Sequence, residues 1–184
     1  MDHKRKIVLT GASGVGKTTL AKELAQRLGL PFIPEIGREL CLAKGFKRIG
    51  DIPEAEQENF KREVLEAQIK HESDLSEFIA DRSAIDCWVL WQRWNICTAM
   101  TYDTESYYER ARAQAESYSH IIYVPPLFEI AEDEFRWTDA DYIKQINRIV
   151  LSTLFDWNLL ARTYTVQSAI FEQRVKEVAA WLAG

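Results

Sequence analysis

The sequence has few cysteines and no long apolar run, and these absences exclude several classes of protein. Cys41, Cys87 and Cys97 are an odd number without C-x-x-C spacing, so neither a disulfide framework nor a zinc site is indicated. No run is long enough to cross a bilayer. Only three apolar residues, 7–9, follow the basic start, too few for an export signal. We expect a cytoplasmic protein without a membrane association.

Net charge and length narrow the class further. The chain has 28 acidic residues against 23 Lys plus Arg, a net charge of −5, which disfavours a protein that coats nucleic acid by bulk charge. A local basic groove is still compatible with this balance. Hydrophobic residues make up 47% of the 184 residues, enough to form a core. One domain over residues 1–184 is expected, as a monomer or a homodimer.

Short apolar runs that end at Gly, Pro or polar residues alternate with amphipathic segments. We predict strands at 6–10, 31–36, 78–80, 120–124 and 164–166, and helices at 17–28, 53–77, 84–100, 104–117, 139–162 and 169–182. Such alternation predicts an α/β fold with a parallel sheet covered on both faces. Residues 127–138 have no clean period and are predicted to form a mobile surface segment.

A glycine-rich segment between the first predicted strand and helix fits the phosphate-loop pattern G-x-x-x-x-G-K-[ST] over residues 11–18. Its backbone N–H groups can face one concavity, and the helix N-terminus adds the positive end of its dipole. We expect nucleotide binding by Gly11, Ser13, Gly14, Val15, Gly16, Lys17, Thr18 and Thr19. Lys17 supplies charge for the β- and γ-phosphates, and Thr18 is placed to ligate Mg²⁺. An ordinary glycine-rich turn is the alternative.

Two other nucleotide motifs are missing. The dinucleotide fingerprint G-x-G-x-x-G does not occur, so a nicotinamide or flavin site is unsupported. No Asn-Lys-x-Asp segment of the kind that reads guanine occurs either. ATP is therefore the expected nucleotide.

Polar residues follow the third predicted strand at Asp81-Arg82-Ser83. In an open α/β sheet this position lies at the carboxyl edge, beside the phosphate loop. Asp81 can hold Mg²⁺ or accept the proton of an attacking hydroxyl, and Arg82 can bind an anionic group of the substrate. The alternative is that Asp81 or Ser83 only caps the next helix.

Glu35 and Arg38 follow the second predicted strand and should face the same crevice. Glu35 can orient or deprotonate a substrate hydroxyl, and Arg38 can bind phosphate. A surface ion pair is the alternative.

Arg136 lies between the fourth strand and the next helix, in an acidic segment over residues 132–139. If this segment closes over the nucleotide as a lid, Arg136 can neutralise charge on the transferred phosphoryl group. A solvated acidic loop with an incidental arginine is the alternative.

Three tryptophans recur at a spacing of three residues, Trp88, Trp91 and Trp94, with Arg93 among them. They could stack on a base, but such spacing is more often the core-facing stripe of a helix.

These motifs, in this order, resemble those of the small P-loop kinases of nucleosides and nucleotides. The resemblance extends to the AAA-type ATPase/kinase group that includes ribosylnicotinamide kinase domains and many phage proteins. Residues 33–38, Ile-Pro-Glu-Ile-Gly-Arg, resemble that group's Val-Pro-Glu-x-x-Arg segment. Residues 133–136, Asp-Glu-Phe-Arg, resemble its Asp-Gly-x-Arg lid, with Glu134 in place of glycine. Asp81-Arg82-Ser83 and Glu35 are also similar to segments of deoxynucleoside kinases.

The resemblance implies a three-layer P-loop NTPase fold with a sheet in the order 2-3-1-4-5 and a lid over about residues 127–138. It also implies transfer of the ATP γ-phosphoryl group to a hydroxyl or phosphate. The leading hypothesis is an ATP- and Mg²⁺-dependent kinase of a nucleoside, nucleotide or related small metabolite. In it Lys17 and Arg136 stabilise charge, Thr18 and Asp81 organise Mg²⁺, and Glu35 or Asp81 orients the acceptor.

Two other functions remain open from the sequence. One is a kinase that phosphorylates a hydroxymethylated pyrimidine in DNA, supported only by the tryptophan stripe with Arg93 and by the basic residues 44–48. The other is a regulatory ATPase that transfers no phosphoryl group to an acceptor.

Overall fold

The computed structural model of the protein describes residues 4–127 and 139–184. Within these residues, five parallel strands form one sheet in the order β2-β3-β1-β4-β5. The strands are β1 (Lys6–Thr10), β2 (Phe32–Ile33), β3 (Phe78–Asp81), β4 (His120–Tyr123) and β5 (Thr163–Thr165). The helices are α1 (Lys17–Leu28), α2 (Ile36–Ala43), α3 (Glu54–Ser73), α4 (Ala84–Asn95), α5 (Thr101–Glu116), α6 (Ala140–Asp156) and α7 (Phe171–Leu182). The α/β class and the sheet order are confirmed.

Strand β1 lies at the centre of the sheet and carries the phosphate loop at its carboxyl end. Its Leu9 pairs with Asp81 of β3 on one side and with Ile122 of β4 on the other. Ile7, Val8 and Leu9 are fully buried, as expected for a parallel strand covered on both faces. The pairing therefore brings the residues after β1 and β3 to one edge of the sheet.

The helices pack as two sets, one on each face of the sheet. Helix α1 packs against β3 and α7, whereas α4 packs against α3, α5 and α6. Right-handed crossovers require this division, since the chain moves one way along the sheet from β1 to β2 and the other way afterwards. Among the described residues, no helix has both the length and the apolar composition needed to cross a membrane.

Several element boundaries differ from the sequence-based expectations. Strand β2 has two residues instead of six, because the chain turns at Glu35 into α2, a helix that the sequence reading did not predict. Helix α4 ends at Asn95 and α5 begins at Thr101, so the predicted helix over 84–100 is too long. Helix α6 ends at Asp156 because Asn158 adopts a left-handed conformation with φ 56°.

A close backbone approach explains why residue 11 is glycine. Gly11 has φ 142°, and a Cβ built on it would clash with the backbone carbonyl oxygen of Val124. The strand end of β4 therefore touches the first residue of the phosphate loop.

A buried polar network ties helices α3 and α5 to the start of α4. Glu72 is fully buried and accepts hydrogen bonds from Gln68, Gln114 and Tyr118. The Tyr118 hydroxyl in turn accepts the backbone N–H of Ala84, at 2.9 Å. Ala84 is the first residue of α4, where N–H groups have no helical partner. The network thus fixes the helix terminus that follows Asp81, Arg82 and Ser83.

Gly11→Ala should destabilise the protein by about 2–4 kcal/mol, because it adds both a clash with backbone and a left-handed alanine. Urea unfolding followed by circular dichroism measures the effect. Gly37→Ala is the control, since a Cβ there meets only the Val64 methyl groups at ordinary contact distance. Equal stability of the two variants would contradict this account of the Gly11 contact.

The buried Glu72 should make stability depend on pH. Burial raises the pKa of Glu72 to about 7, although its three hydrogen bonds oppose the shift. The folded state then holds this proton more tightly than the unfolded state, whose pKa is near the ordinary 4.5. The contribution of Glu72 to the free energy of unfolding should therefore fall as pH rises from about 4.5 to about 7. Above pH 7 this contribution should be constant.

Glu72→Gln removes the titrating group, so its stability relative to wild type should increase by about 1–3 kcal/mol between pH 5 and pH 7.5. Denaturant unfolding across this pH range measures the difference. Glu109→Gln, at an exposed carboxylate of α5, is the control for loss of one negative charge. A stability difference between Glu72→Gln and wild type that is independent of pH would contradict the assignment.

Candidate active site

The phosphate loop connects β1 to α1 and has the backbone of an anion-binding turn. Gly14 and Gly16 have φ 77° and 89°, conformations that favour glycine. The first hydrogen bond of α1 runs from Leu20 N to Gly16 O, so the preceding N–H groups lie ahead of the helical ladder. These groups and the helix dipole make the loop suitable for polyphosphate.

The ammonium of Lys17 is folded against the loop. Its Nζ donates to the carbonyl oxygens of Gly11 and Ala12 at 2.9 and 2.5 Å. Burial, reinforced by the positive charge of Arg82, lowers the pKa of Lys17 to about 7. A phosphate group beside Nζ would favour the charged form.

Thr18 and Asp81 meet at the edge of the sheet. The Thr18 hydroxyl donates to Asp81 Oδ2 at 2.5 Å, joining the first turn of α1 to the end of β3. Hydroxyl and carboxylate oxygens are the ligands that Mg²⁺ prefers, so this pair fits a nucleotide-bound magnesium ion.

Arg82 is the centre of a buried charge cluster. Its guanidinium donates to Glu35 at 2.6 Å, Asp86 at 3.2 Å and the Ser13 hydroxyl at 3.2 Å. These contacts join β3, α2, α4 and the phosphate loop. Arg82 itself has φ 82°, a left-handed backbone that costs energy for a residue with a side chain.

The cluster sets the charge states of its members. Burial alone would lower the pKa of Arg82, but the carboxylates of Glu35 and Asp86 outweigh it and raise that pKa. Burial raises the pKa of Asp86, against the opposing charges of Arg82 and Lys17. The positive charge of Arg82 is therefore firmly held between two acidic side chains.

The capping role that the sequence left open for this segment is confirmed at Ser83. Ser83 caps α4 by accepting from Ile85 N, and Asp86 accepts from the Ser83 N–H to complete a capping box. Asp86 therefore both anchors the helix and binds Arg82.

A cavity of about 640 Å³ opens beside this cluster, within the usual size of small-molecule sites. Its floor includes Ser13, Glu35, Arg82 and Asp86. Its walls come from α2, α3, α4, α5 and α6 and from the segments between them. The apolar lining residues include Ile36, Ile52, Phe60, Val64, Leu90, Trp94, Tyr107 and Tyr142. The polar lining residues include Gln57, Lys61, Gln68, Asn95 and Thr98. Asp81 is not among the lining residues, so Glu35 is the better placed of the two for a ligand here.

The tryptophan stripe divides between core and cavity. Trp88 is 5% exposed and Trp91 is 0% exposed, and both pack against core aromatic rings. Trp94 is 37% exposed, lines the cavity and lies 6.2 Å from the ring of Tyr142. Two of the three tryptophans are therefore core residues, and the third lines the cavity.

Other predicted site residues lie elsewhere. Arg38 is exposed on α2 and does not line the cavity. Thr19 is exposed in the first turn of α1. Arg136 and the matched Asp133 lie outside the described residues, as does nearly all of the predicted lid.

Sequence reasoning missed Asp86, Lys61, Gln68 and Tyr142. The Ser83-x-x-Asp86 spacing is a capping-box signal, but nothing in it predicts the contact with Arg82. The cavity-lining residues of α3 follow a helical period that a core-facing stripe would share.

Arg174 was missed as well. It is 3% exposed, and its Nη1 donates to the Val15 carbonyl at 2.8 Å. The last described helix thereby supports the phosphate loop from outside.

Comparison with known proteins agrees with this geometry. A protein-family model described as an AAA domain matches residues 6–174. A NadR protein solved with NAD and AMP-PNP is similar with a TM-score of 0.75 at 16% identity, over 99% of this chain and 50% of that one. The chain thus spans about half the length of NadR.

Two smaller enzymes match over nearly their whole length. Deoxyadenosine kinase from M. mycoides with bound dATP gives a TM-score of 0.68 at 15% identity, over 98% of this chain and 100% of that one. Shikimate kinase from Aquifex aeolicus gives a TM-score of 0.62 at 18% identity, over 97% of this chain and 96% of that one. At these identities the likeness establishes the fold. The chain therefore belongs to the AAA domain family and has the three-layer fold of the P-loop nucleoside and nucleotide kinases.

Proposed function

We propose that the protein is a kinase that transfers the γ-phosphoryl group of ATP to a nucleoside, nucleotide or related metabolite. The observation that carries the proposal is the contact of Arg82 with Ser13 and Glu35, which joins the phosphate loop to the floor of the cavity. A donor bound at the loop and an acceptor bound in the cavity would meet at this contact. Transfer between two positioned substrates needs such an arrangement.

The donor half of the site is suited to ATP with Mg²⁺. Loop N–H groups from Ser13 to Thr19 and the Lys17 ammonium would bind the phosphates, and Thr18 with Asp81 would hold the metal. When bound, Mg²⁺ neutralises phosphate charge. Lys17 must leave the carbonyl oxygens of Gly11 and Ala12 to reach a phosphate, which its flexible side chain permits.

The acceptor half favours a hydroxyl group as nucleophile. Glu35 lines the cavity, and its position on Arg82 holds the carboxylate in place. Glu35 would accept the proton of the acceptor hydroxyl while the oxygen bonds to the γ-phosphorus and the bond to ADP breaks. Asp81, occupied with Thr18, would organise the metal instead. Arg38 and Arg136 remain predicted contributors to substrate binding and charge stabilisation.

The walls of the cavity support an acceptor with a planar ring. Trp94 and Tyr142 lie side by side at the cavity, and aromatic faces are favourable neighbours for a ring. This supports a nucleoside-like acceptor over a polyhydroxylated acid or sugar.

The two other functions have weaker support. For a DNA acceptor, two of the three cations of the basic segment are matched by carboxylates, Lys44 by Glu63 and Arg48 by Asp51. For a switch without an acceptor, a cavity that opens on the phosphate loop would have no ligand.

Radiolabelled ATP incubated with adenosine, uridine, AMP, UMP and a duplex oligonucleotide containing hydroxymethylated pyrimidine distinguishes these functions. Label on a nucleoside or mononucleotide supports the proposal. Label on DNA alone supports the DNA kinase, and free phosphate alone supports the ATPase.

Lys17→Ala should abolish phosphoryl transfer while the protein stays folded, because the variant loses the loop's mobile charge. Transfer rate and the far-ultraviolet circular dichroism spectrum measure the two properties. Lys22→Ala, on the same helix, is the control for loss of a lysine. Full activity of the Lys17 variant would contradict the proposal.

Glu35→Gln should lower kcat by about 10²–10⁴-fold with little change in the KM for ATP, as expected for loss of a general base. Asp81→Asn should instead weaken the binding of Mg²⁺, seen as a higher metal concentration for half-maximal rate. Steady-state kinetics over a Mg²⁺ titration separates the two roles. The reverse pattern would exchange the assignments of Glu35 and Asp81.

A further inference from the structure

The cavity contains one half-buried charge that forms no ion pair within the described part of the chain. Charged side chains from this part of the chain line it at Glu35, Glu54, Glu58, Lys61, Arg82 and Asp86. Glu35 and Asp86 bind Arg82, and Glu58 binds Arg62 at 2.8 Å. Glu54 is exposed to solvent at the start of α3.

Lys61 is the exception. Its Nζ donates only to the backbone carbonyl and the side-chain oxygen of Gln57, both at 3.4 Å, and among the described residues no carboxylate lies within 4.0 Å of it. The side chain is half-buried, and burial lowers the pKa of Lys61 to about 8, although the charge of Glu58 opposes the shift. A half-buried ammonium without an ion pair, whose hydrogen-bond acceptors are neutral and at 3.4 Å, is costly, and a ligand in the cavity can offset that cost.

Helix packing locates Lys61 relative to the transfer end of the cavity. Arg62 lies over the ring of Trp91 at 5.0 Å, so this part of α3 is level with the second half of α4. Glu72, further along α3, is level with Ala84 at the start of α4, because the Tyr118 hydroxyl is hydrogen-bonded to both residues. The two helices therefore run antiparallel.

Lys61 is thus displaced along α4 by about two helical turns, on the order of 10 Å, from the helix start that follows Arg82. This separation is comparable to the length of a ribose joined to a ring. An acceptor with its hydroxyl at Glu35 would have its ring near Lys61, with Trp94 and Tyr142 in the same cavity.

We infer that Lys61 is a specificity-determining residue that binds an electron-rich oxygen on the acceptor's ring, either a ring carbonyl or a ring carboxylate. This inference rests on the proposed function and adds a class of substrate to it. A lysine has only hydrogen-bond donors, so a ring that offers no oxygen there leaves the charge unmatched. The site should therefore prefer rings that carry oxygen.

Three ribonucleosides provide the test, because they share a ribose and differ in their rings. The base of adenosine carries no oxygen atom. The base of uridine carries two carbonyl oxygens, and that of orotidine carries two carbonyl oxygens and a carboxylate. Binding to the ATP-free protein is measured by calorimetry, separately from transfer. Wild type should bind uridine or orotidine at least about tenfold more tightly than adenosine, as for a hydrogen bond to a charged group. If only uridine binds more tightly than adenosine, Lys61 contacts a carbonyl. If only orotidine does, Lys61 contacts the carboxylate.

The variants assign this preference to Lys61. Lys61→Met should remove it and leave adenosine binding unchanged, whereas Lys61→Arg should retain at least part of it. Lys70→Met, at an exposed position of the same helix, should behave as wild type. The inference is overturned if Lys61→Met weakens the binding of all three nucleosides equally or of none of them. It is also overturned if the wild-type protein binds all three with the same affinity.

The outcomes also separate this inference from the proposed function. Lys61-dependent binding without phosphoryl transfer would overturn the kinase and leave the Lys61 contact intact. Transfer to nucleosides without dependence on Lys61 would do the opposite. Absence of binding of all three nucleosides at millimolar concentration would overturn the Lys61 contact and the nucleoside acceptor together.

Discussion

The position of one guanidinium determines the geometry of the whole site. Arg82 lies between Glu35 of the α2 turn, Asp86 of α4 and Ser13 of the phosphate loop, so three separate segments are held by one planar group. Two buried carboxylates would repel each other without a cation between them, and a buried cation would be unstable without carboxylates. The cluster therefore specifies one arrangement of loop, strand end and helix start. The left-handed backbone of Arg82 is compatible with this, since the surrounding contacts can offset the strain.

The two halves of the site have different kinds of construction. The phosphate loop presents backbone groups on a turn whose glycines cannot be replaced without strain or collision. The cavity is built from side chains of five helices, with apolar walls and a few polar groups. Backbone groups suit a ligand that all ATP-using proteins share, whereas side chains can change singly. The cavity is therefore where proteins of this fold can differ, while the phosphate loop remains alike.

The phosphate loop and the sheet could be predicted from the local sequence, but the cavity could not. The phosphate loop was predictable because its chemistry lies in eight consecutive residues, and the bounds of β1 and α1 follow from an apolar run and a closing glycine. The α2 helix was not predicted because Pro34 and Gly37 obscure its period, although Ile36 and Cys41 are both buried. The roles of Asp86, Tyr142 and Lys61 arise only when α3, α4 and α6 pack together. Trp88, Trp91 and Trp94 show the same limit, since their spacing is regular but their burial is not.

The contact between Arg174 and the Val15 carbonyl joins residues that are 159 positions apart. During synthesis, the phosphate loop leaves the ribosome well before α7, because the two residues are 159 positions apart. Until α7 has emerged, the Val15 carbonyl has no guanidinium to bind, and the loop lacks support on its outer side. Nucleotide binding would then be acquired only after α7 has been made and the sheet is complete, although the motif that defines it is synthesised earlier than either.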